Sequence, residues 1–164
     1  MARWLALDVG AARIGVAMSD ATGFLASPYT TLHVTRDESQ TWNAIQRLIE
    51  ETESVGLVVG LPISLDGEIY SQGKRVQAFA ERLKEHISVP ITFWDERLST
   101  VEAERLLLER GDTNLGKRYQ TTGGVKSNQS KRRRKKQEVD ALAATVILQE
   151  YLDAHTSKTR GTEE

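Results

Sequence analysis

Acidic side chains stand at the ends of apolar stretches at three places in the sequence. Asp8 lies in LALDVG, Asp95 and Glu96 lie in TFWDERLS, and Asp140 lies in EVDALAA. A carboxylate at the end of a buried strand is costly to desolvate unless it is compensated, and carboxylates that meet repel one another. Mg²⁺ or Mn²⁺ is the simplest compensation, because carboxylate and water oxygens are the ligands that these ions prefer. Since such ions support phosphodiester hydrolysis, these positions predict a metal-dependent hydrolase.

Each acid also has a purely structural alternative. Asp8 could initiate a turn, Asp95 could cap the helix that follows it, and Asp140 could complement a helix dipole. Glu96 could simply form an ion pair with Arg97. Their joint placement on one predicted edge favours the metal site, and whether Asp95 joins or replaces Glu96 in that site stays open.

A basic run stands directly before the last of these acids. Its members are Lys131, Arg132, Arg133, Arg134, Lys135 and Lys136. The net charge is −1, but without these six the 22 Lys and Arg fall to 16 against 23 Asp and Glu, a balance of −7. A local basic tract on an acidic body indicates a surface that meets an anion, most often nucleic acid. The alternative is a solvated charge run in a mobile loop.

Hydrophobic periodicity indicates the elements that would position these residues. It predicts strands at 4–9, 13–19, 24–32, 56–60 and 89–94, the first two forming a hairpin and the third an edge strand because of Pro28. It predicts helices at 39–51, around 76–83, at 99–111 and at about 137–153. The stretches 64–73 and 111–130 are predicted loops. Strands that alternate with helices after an initial meander predict an α/β protein with a mixed sheet covered on both faces.

Composition excludes several classes of protein. The chain has 164 residues, which suits one domain, and it has no cysteine, so neither disulfides nor zinc-thiolate sites are possible. No apolar stretch approaches the roughly 20 residues that span a bilayer, and Arg3 and Asp8 interrupt any signal core. A cytoplasmic protein without a membrane partner is therefore expected. The sequence also lacks the P-loop, HExxH and GxSxG motifs.

Four segments together resemble the YqgF family, also called RuvX, which is assigned to precursor 16S rRNA processing and is related to the RuvC Holliday junction resolvases. These segments are LALDVGAARIGVAMSD at 5–20, LVVGLPISLDGEIYSQGKRVQAFAERL at 57–83, ITFWDERLSTVEAERLL at 91–107 and KRRRKKQEVDALAATVILQEYLD at 131–153. The resemblance covers the chain from about Trp4 to Asp153. It rests on D-x-G-x-x-R-I-G-V-A, V-V-G-L-P, D-E-R-L-S-T and V-D-A-x-A-A in combination.

The resemblance implies a ribonuclease H-like fold with a five-stranded mixed sheet flanked by helices. Residues 1–155 would form this nuclease domain, and 156–164 would be a disordered tail. Asp8, Glu96 and Asp140 match the acids expected to be catalytic and to hold Mg²⁺ or Mn²⁺. The related resolvases carry an acid near the end of the fourth strand, where this chain reads VVGLP, so Glu96 would take that place. Arg13, Arg97 and the basic run match positions expected to contact phosphate.

The function implied is a metal-dependent nuclease, a hydrolase of phosphodiester bonds that processes the 5′ end of precursor 16S rRNA in ribosome biogenesis. Its expected partner would be RNA, with ribosomal precursor particles as a further candidate. Two alternatives stay open: a Holliday junction resolvase acting on branched DNA, which would favour a homodimer over a monomer, and a nucleic-acid-binding module without catalysis. An ATPase of the actin or sugar-kinase type would need a second domain, for which this chain has no room.

Overall fold

The fold is built on a five-stranded mixed sheet. The computed structural model describes residues 2–64, 66–95 and 126–160. The strands are β1 (Arg3–Val9), β2 (Arg13–Ser19), β3 (Ala26–His33), β4 (Ser54–Leu61) and β5 (Ile91–Asp95). They lie in the order β3-β2-β1-β4-β5, with antiparallel pairing from β1 through β2 to β3 and parallel pairing from β1 through β4 to β5. This confirms the predicted hairpin, edge strand and mixed sheet.

Three helices among the described residues cover the two faces of this sheet. They are α1 (Glu38–Thr52), α2 (Ser71–Lys84) and α3 (Lys126–Arg160). The side chain of Asp37 caps α1 by accepting a hydrogen bond from the backbone N–H of Ser39 at 3.0 Å. The order β-β-β-α-β-α-β agrees with the sequence prediction up to the end of β5.

Alternating residues of the strands build one core on each face. On the first face, side chains of β1, β2 and β4 pack with the inner sides of α1 and α2 around Trp42 and Phe79, whose rings lie 5.0 Å apart. On the second face, Ala6, Ala17 and Val58 pack against α3. The small side chains on the second face let a helix lie close to the sheet, and that face carries the acids discussed below.

The last helix begins earlier than the sequence predicts. A loop was expected through residue 130 and a helix from about 137, but α3 already begins at Lys126. The apolar spacing that predicts a helix is absent from 126–137. This stretch nevertheless lacks Gly and Pro and is rich in Lys, Arg and Gln, which are good helix formers, so the packed part of α3 extends into it. The basic run is therefore helical, and the alternative that placed it in a mobile loop was wrong.

Other differences lie at the ends of elements. The loop predicted at 64–73 is shorter, because α2 begins at Ser71, and α3 continues to Arg160, five residues into the segment 156–164 predicted as a disordered tail. The helix predicted at 99–111 and most of the loop at 111–130 lie outside the described residues. Within the part of the chain that the structure describes, no helix is both long enough and apolar enough to cross a bilayer.

Ile147 tests the packing of α3 on the second face. It is fully buried among residues of that core. Truncating Ile147→Ala should lower the free energy of unfolding by about 2–5 kcal/mol, and Ile147→Val by about 1 kcal/mol, because each leaves a cavity of corresponding size. Urea denaturation measures both. Glu51→Ala on the exposed side of α1 is the control, expected within about 0.5 kcal/mol of the parent. An equal, small effect of all three would contradict the packing described.

Candidate metal and nucleic-acid site

Asp8 lies next to the last residue of β1, at the carboxyl edge of the parallel part of the sheet. Leu5 and Leu7 belong to the core under α1 and α2, whereas Ala6 belongs to the core under α3. Since side chains alternate along a strand, Asp8 lies on the α3 face. Its partner across the ladder is Gly15 of β2. Residues paired in this way have Cα atoms about 4.5–5.5 Å apart, so whatever lies over Gly15 also lies beside Asp8.

The residue over Gly15 is Asp140. A Cβ atom added to Gly15 would stand 2.0 Å from the carbonyl oxygen of Asp140, 2.3 Å from its carbonyl carbon and 2.9 Å from the backbone nitrogen of Ala141. These are backbone atoms, which cannot swing aside as a flexible side chain could. A glycine at this position therefore lets the backbone of α3 contact β2, and it brings Asp140 to the strand pair that carries Asp8.

An ion pair fixes the side chain of Asp140. The Nε–H of Arg13, the first residue of β2, donates to Oδ2 of Asp140 at 2.7 Å. The two side chains are 30% and 25% exposed, so solvent screens the pair in part but does not surround it. The guanidinium group binds Asp140 through Nε. Arg13 was predicted to contact phosphate, and this arrangement adds a second role, that of orienting Asp140.

The position of Asp95 bears on its place in the site. Asp95 ends β5 and pairs with Leu61, which belongs to the core under α1 and α2. The preceding residue, Trp94, packs on the α3 face instead. By strand alternation Asp95 lies on the face opposite Asp8, which separates it from the pair over Gly15. Glu96 and Arg97, the other predicted site residues of this segment, lie outside the described residues.

The side chains of Gln149 and Glu150 also fix the position of α3 along the strands of the sheet. The indole N–H of Trp94 donates to Oε2 of Glu150 at 2.9 Å. The side chain of Gln149 bonds the start of β3 and the loop before it. Its Oε1 accepts from the N–H of Ala26, the first residue of β3, and its Nε2 donates to the carbonyl of Phe24, each at 2.9 Å. Together they anchor α3 to both edge strands and prevent it from sliding along the face that carries the acids.

The basic run forms the turns of α3 that lead into Asp140. All six residues lie within the helix, and the two whose side chains are described, Arg132 and Lys135, are exposed. Lys136 and Arg133 precede Asp140 by four and seven residues, so helical periodicity places them on the side of α3 where Asp140 lies. Lys131 and Lys135, nine and five residues before Asp140, fall on the other side. Within the run, Arg133 and Lys136 therefore share the helical register of Asp140, and Lys131 and Lys135 do not.

Sequence reasoning missed Gly15, although a signal was present. A lone glycine inside the apolar strand RIGVAMS is itself a sign that another backbone approaches closely, and this sign identifies the contact. The hydrogen bonds of Gln149 and Glu150 gave no such sign, because both belong to an ordinary helical surface in the sequence.

The described residues supply two carboxylates to this site, those of Asp8 and Asp140. In the described part of the chain no three His, Cys, Asp or Glu side chains form a group that could hold a metal ion. Two carboxylates together with substrate phosphates are a common way to bind Mg²⁺, so this donor set fits the predicted ion.

Comparison with known proteins identifies the family. A family model described as "RuvX: Holliday junction resolvase" matches residues 2–122.

The chain belongs to the RuvX family.

Curated RuvX relatives match almost the whole chain. The "Putative pre-16S rRNA nuclease" of Thermoanaerobacter pseudethanolicus is 40% identical over 156 residues, which cover 95% of this chain and 99% of that protein. The protein of the same name from Caldanaerobacter subterraneus is also 40% identical, over 93% of this chain and 96% of its own. The resemblance seen in the sequence motifs is thereby confirmed.

Solved structures confirm the ribonuclease H-like fold. RuvC of Thermus thermophilus, in a structure described as a complex with a Holliday junction substrate, superposes with a TM-score of 0.54. The superposition covers 94% of this chain and 96% of the RuvC chain at 11% identity, so what the two share is the fold.

A substitution at Gly15 tests how the two acids are brought together. Gly15→Ala should displace α3 and lower the free energy of unfolding by about 1–3 kcal/mol, because the new Cβ overlaps backbone atoms. It should also shift the Nε–Hε signal of Arg13 in a ¹H–¹⁵N NMR spectrum. Gly56→Ala is the matched control, since its Cβ would stand 2.1 Å from the ring of Trp4, away from the acids. It should lose stability but keep the Arg13 signal. An unchanged Arg13 signal in Gly15→Ala would refute the arrangement.

Proposed function

We propose that this protein is a metal-dependent nuclease of the cytoplasm that hydrolyses phosphodiester bonds at the 5′ end of precursor 16S rRNA. The observation that carries the proposal is the meeting of Asp8 and Asp140 over Gly15 in a chain of the RuvX family. The names of its relatives support the RNA substrate. An acid pair of this kind has no use in a pure binding module, because carboxylates repel the phosphates that such a module would bind.

Asp8, Asp140 and Glu96 would hold the Mg²⁺ or Mn²⁺ ion. Bound there, the ion supplies the positive charge that stabilises the reacting phosphate and activates water for its hydrolysis. Asp8 comes from a central strand and Asp140 from a helix locked against that strand pair, so the spacing of these two is fixed before substrate arrives. Such preorganisation is what metal and transition-state sites require.

Arg13 acts on both the site and the substrate in this proposal. Its Nε holds Asp140, which keeps one carboxylate oxygen in place and leaves the other for the ion. Its terminal nitrogens can then bind an oxygen of the scissile phosphate. The arginine therefore balances the negative charge of the acids when the ion is absent and orients the phosphate when it is present.

The basic run guides the nucleic acid to this site. The six consecutive cations lie on the helix that leads into Asp140, at a rise of about 1.5 Å per residue. Phosphates that bind there lie a short distance along the strand from the scissile one. Such contacts make binding depend strongly on salt and do not select sequence.

The second candidate is a Holliday junction resolvase. The description of the family model favours it, because that description names this activity. Paired cuts across a four-way junction need two sites related by a two-fold axis, so this function requires a homodimer, whereas end processing is compatible with a monomer. Ribosomal precursor particles would be the natural partner of the first function and branched DNA that of the second.

Substitution of the acids tests the chemistry. Mn²⁺-dependent cleavage should fall more than about 100-fold in each of the variants Asp8→Asn, Asp140→Asn and Glu96→Gln. This loss exceeds the roughly 10- to 100-fold loss that is typical when a residue that only supports a metal ligand is changed. Asp95→Asn is the matched control and should cleave like the parent, because Asp95 lies on the opposite face. Single-turnover cleavage of labelled RNA measures all four. A loss of cleavage in Asp95→Asn that equals the loss in Asp8→Asn would place the site elsewhere.

Two double variants test how the basic run meets the substrate. Arg133→Ala with Lys136→Ala should weaken RNA binding about tenfold more than Lys131→Ala with Lys135→Ala, although both remove two charges from the same helix. Fluorescence anisotropy at several salt concentrations measures the difference, with the Asp8→Asn background used to prevent cleavage. Equal losses in the two double variants would show that the run attracts nucleic acid only by its total charge.

Offering both substrates side by side decides between the two functions. The parent protein receives RNA spanning the precursor 16S rRNA 5′ end and a four-way DNA junction, with Mn²⁺ or Mg²⁺ and with Asp8→Asn as the control for contaminating nuclease. RNA cleavage that the variant loses supports the first function. Symmetric junction cleavage, with a dimer in analytical ultracentrifugation, supports the second. No Asp8-dependent cleavage of either substrate overturns both and favours the binding module.

A further inference from the structure

A cleft of about 410 Å³ opens on the face opposite α3, beside the carboxyl end of β1. Its floor includes Val9 and Gly10, the two residues that follow Asp8 in the chain. The rest of its wall comes from Ala11, from Val34 after β3, from the first turn of α1 and from α2. The volume is within the range of pockets that bind small ligands, and Val9 and Gly10 connect the cleft along the chain to Asp8.

The lining of this cleft combines an apolar wall with a cation. Val34, Val76 and Phe79 supply the apolar wall, and Arg75 and Arg82 of α2 supply positive charge. Glu38 is the acid in the lining, and both of its carboxylate oxygens accept from Arg82, at 2.9 and 3.0 Å. Arg82 is therefore already neutralised, and its ion pair joins α1 to α2 at the rim.

Arg75 differs from Arg82 in having no acidic partner among the described residues. It is exposed, lines the cleft and forms no ion pair within the described part of the chain. An unpaired guanidinium at the rim of an apolar cleft suits a ligand with an anionic group and a flat apolar group, since guanidinium binds phosphate oxygens in a planar fork. A nucleotide has both groups, and inorganic phosphate or a free base has only one.

We propose that this cleft binds one nucleotide of the substrate strand, with its base against the Phe79 wall and its phosphate on Arg75. The proposal rests on the proposed function for the identity of the ligand and extends it by naming a second contact surface. The strand would then meet the protein on both sides of the edge that carries Asp8, the basic turns of α3 on one side and the cleft on the other. A nucleotide seated beside the scissile phosphate would fix the register of cleavage.

The test is an NMR titration of the full chain without divalent metal, using 5′-AMP, adenosine and inorganic phosphate as separate probes. AMP at millimolar concentration should shift the amide signals of Gly10, Ala11 and Val76, and it should bind more tightly than either of the other probes. Arg75→Ala should weaken AMP binding about fivefold or more through loss of a charge-assisted hydrogen bond. Lys74→Ala, its exposed neighbour outside the cleft lining, should leave binding unchanged.

A filling variant tests the cavity itself. Ala78 lines the cleft at an exposed position of α2, so Ala78→Trp should fill the space and remove AMP binding without lowering the melting temperature. Glu81→Trp, on the same helix outside the lining, should bind AMP as the parent does. The proposal would be overturned if Arg75→Ala and Lys74→Ala changed AMP binding equally, or if Ala78→Trp and Glu81→Trp did. It would also be overturned if AMP shifted no amide signals of the cleft.

Cleavage assays distinguish a failure of the cleft proposal from a failure of the proposed nuclease function. Asp8→Asn should lose cleavage and retain AMP binding. If AMP binding fails while Asp8-dependent cleavage persists, the cleft proposal is wrong and the nuclease stands. If cleavage fails in the parent while AMP binds as described, the cleft is a nucleotide site and the nuclease assignment is wrong.

Discussion

The contact between the backbone of α3 and Gly15 is the constraint on which the site depends. A side chain of any size at this position would stand inside the peptide unit of Asp140, so the helix would have to move away from the sheet. The small residues Ala6 and Ala17 extend the same close approach along the neighbouring positions of that face. The central strand contributes Asp8, the helix contributes Asp140, and the absence of one Cβ atom lets the two meet.

The energetic problem of this arrangement is the accumulation of negative charge at a partly buried edge. Arg13 compensates it locally, because its Nε binds Asp140 from the neighbouring strand. An ion between the acids would add the charge that catalysis needs, and the basic turns of α3 would offset the charge of an incoming phosphate chain. Anchors remote from the acids, among them the bond from Trp94 to Glu150, keep the helix in register while these charges change.

Much of the fold could be predicted from the sequence, because it depends on patterns that are local. The alternation in LALDV and RIGVAMS and the apolar spacing of Trp42, Ile45 and Ile49 determine strands and a helix wherever a core is available. The start of α3 could not be predicted in this way, since its first turns carry no apolar face. Asp8 was found by its position at a strand end, and Asp140 by its place between the basic run and an apolar stretch. The separation of Asp95 from Asp8 depends on which face of β5 meets α3, which is a tertiary property. The bond from Arg13 to Asp140 is also a tertiary property, because it joins β2 to α3.

Paramagnetic relaxation by Mn²⁺ tests directly whether Asp8 and Asp140 form one metal site over Gly15. Small additions of Mn²⁺ broaden the amide signals of residues close to the ion, so the location of the site is measured without any substrate or activity. The account predicts the strongest broadening at Asp8, Gly15 and Ala141, and its loss in Asp8→Asn. Broadening centred on other acids, such as Asp20 or Asp66, or broadening that survives in Asp8→Asn, would contradict it.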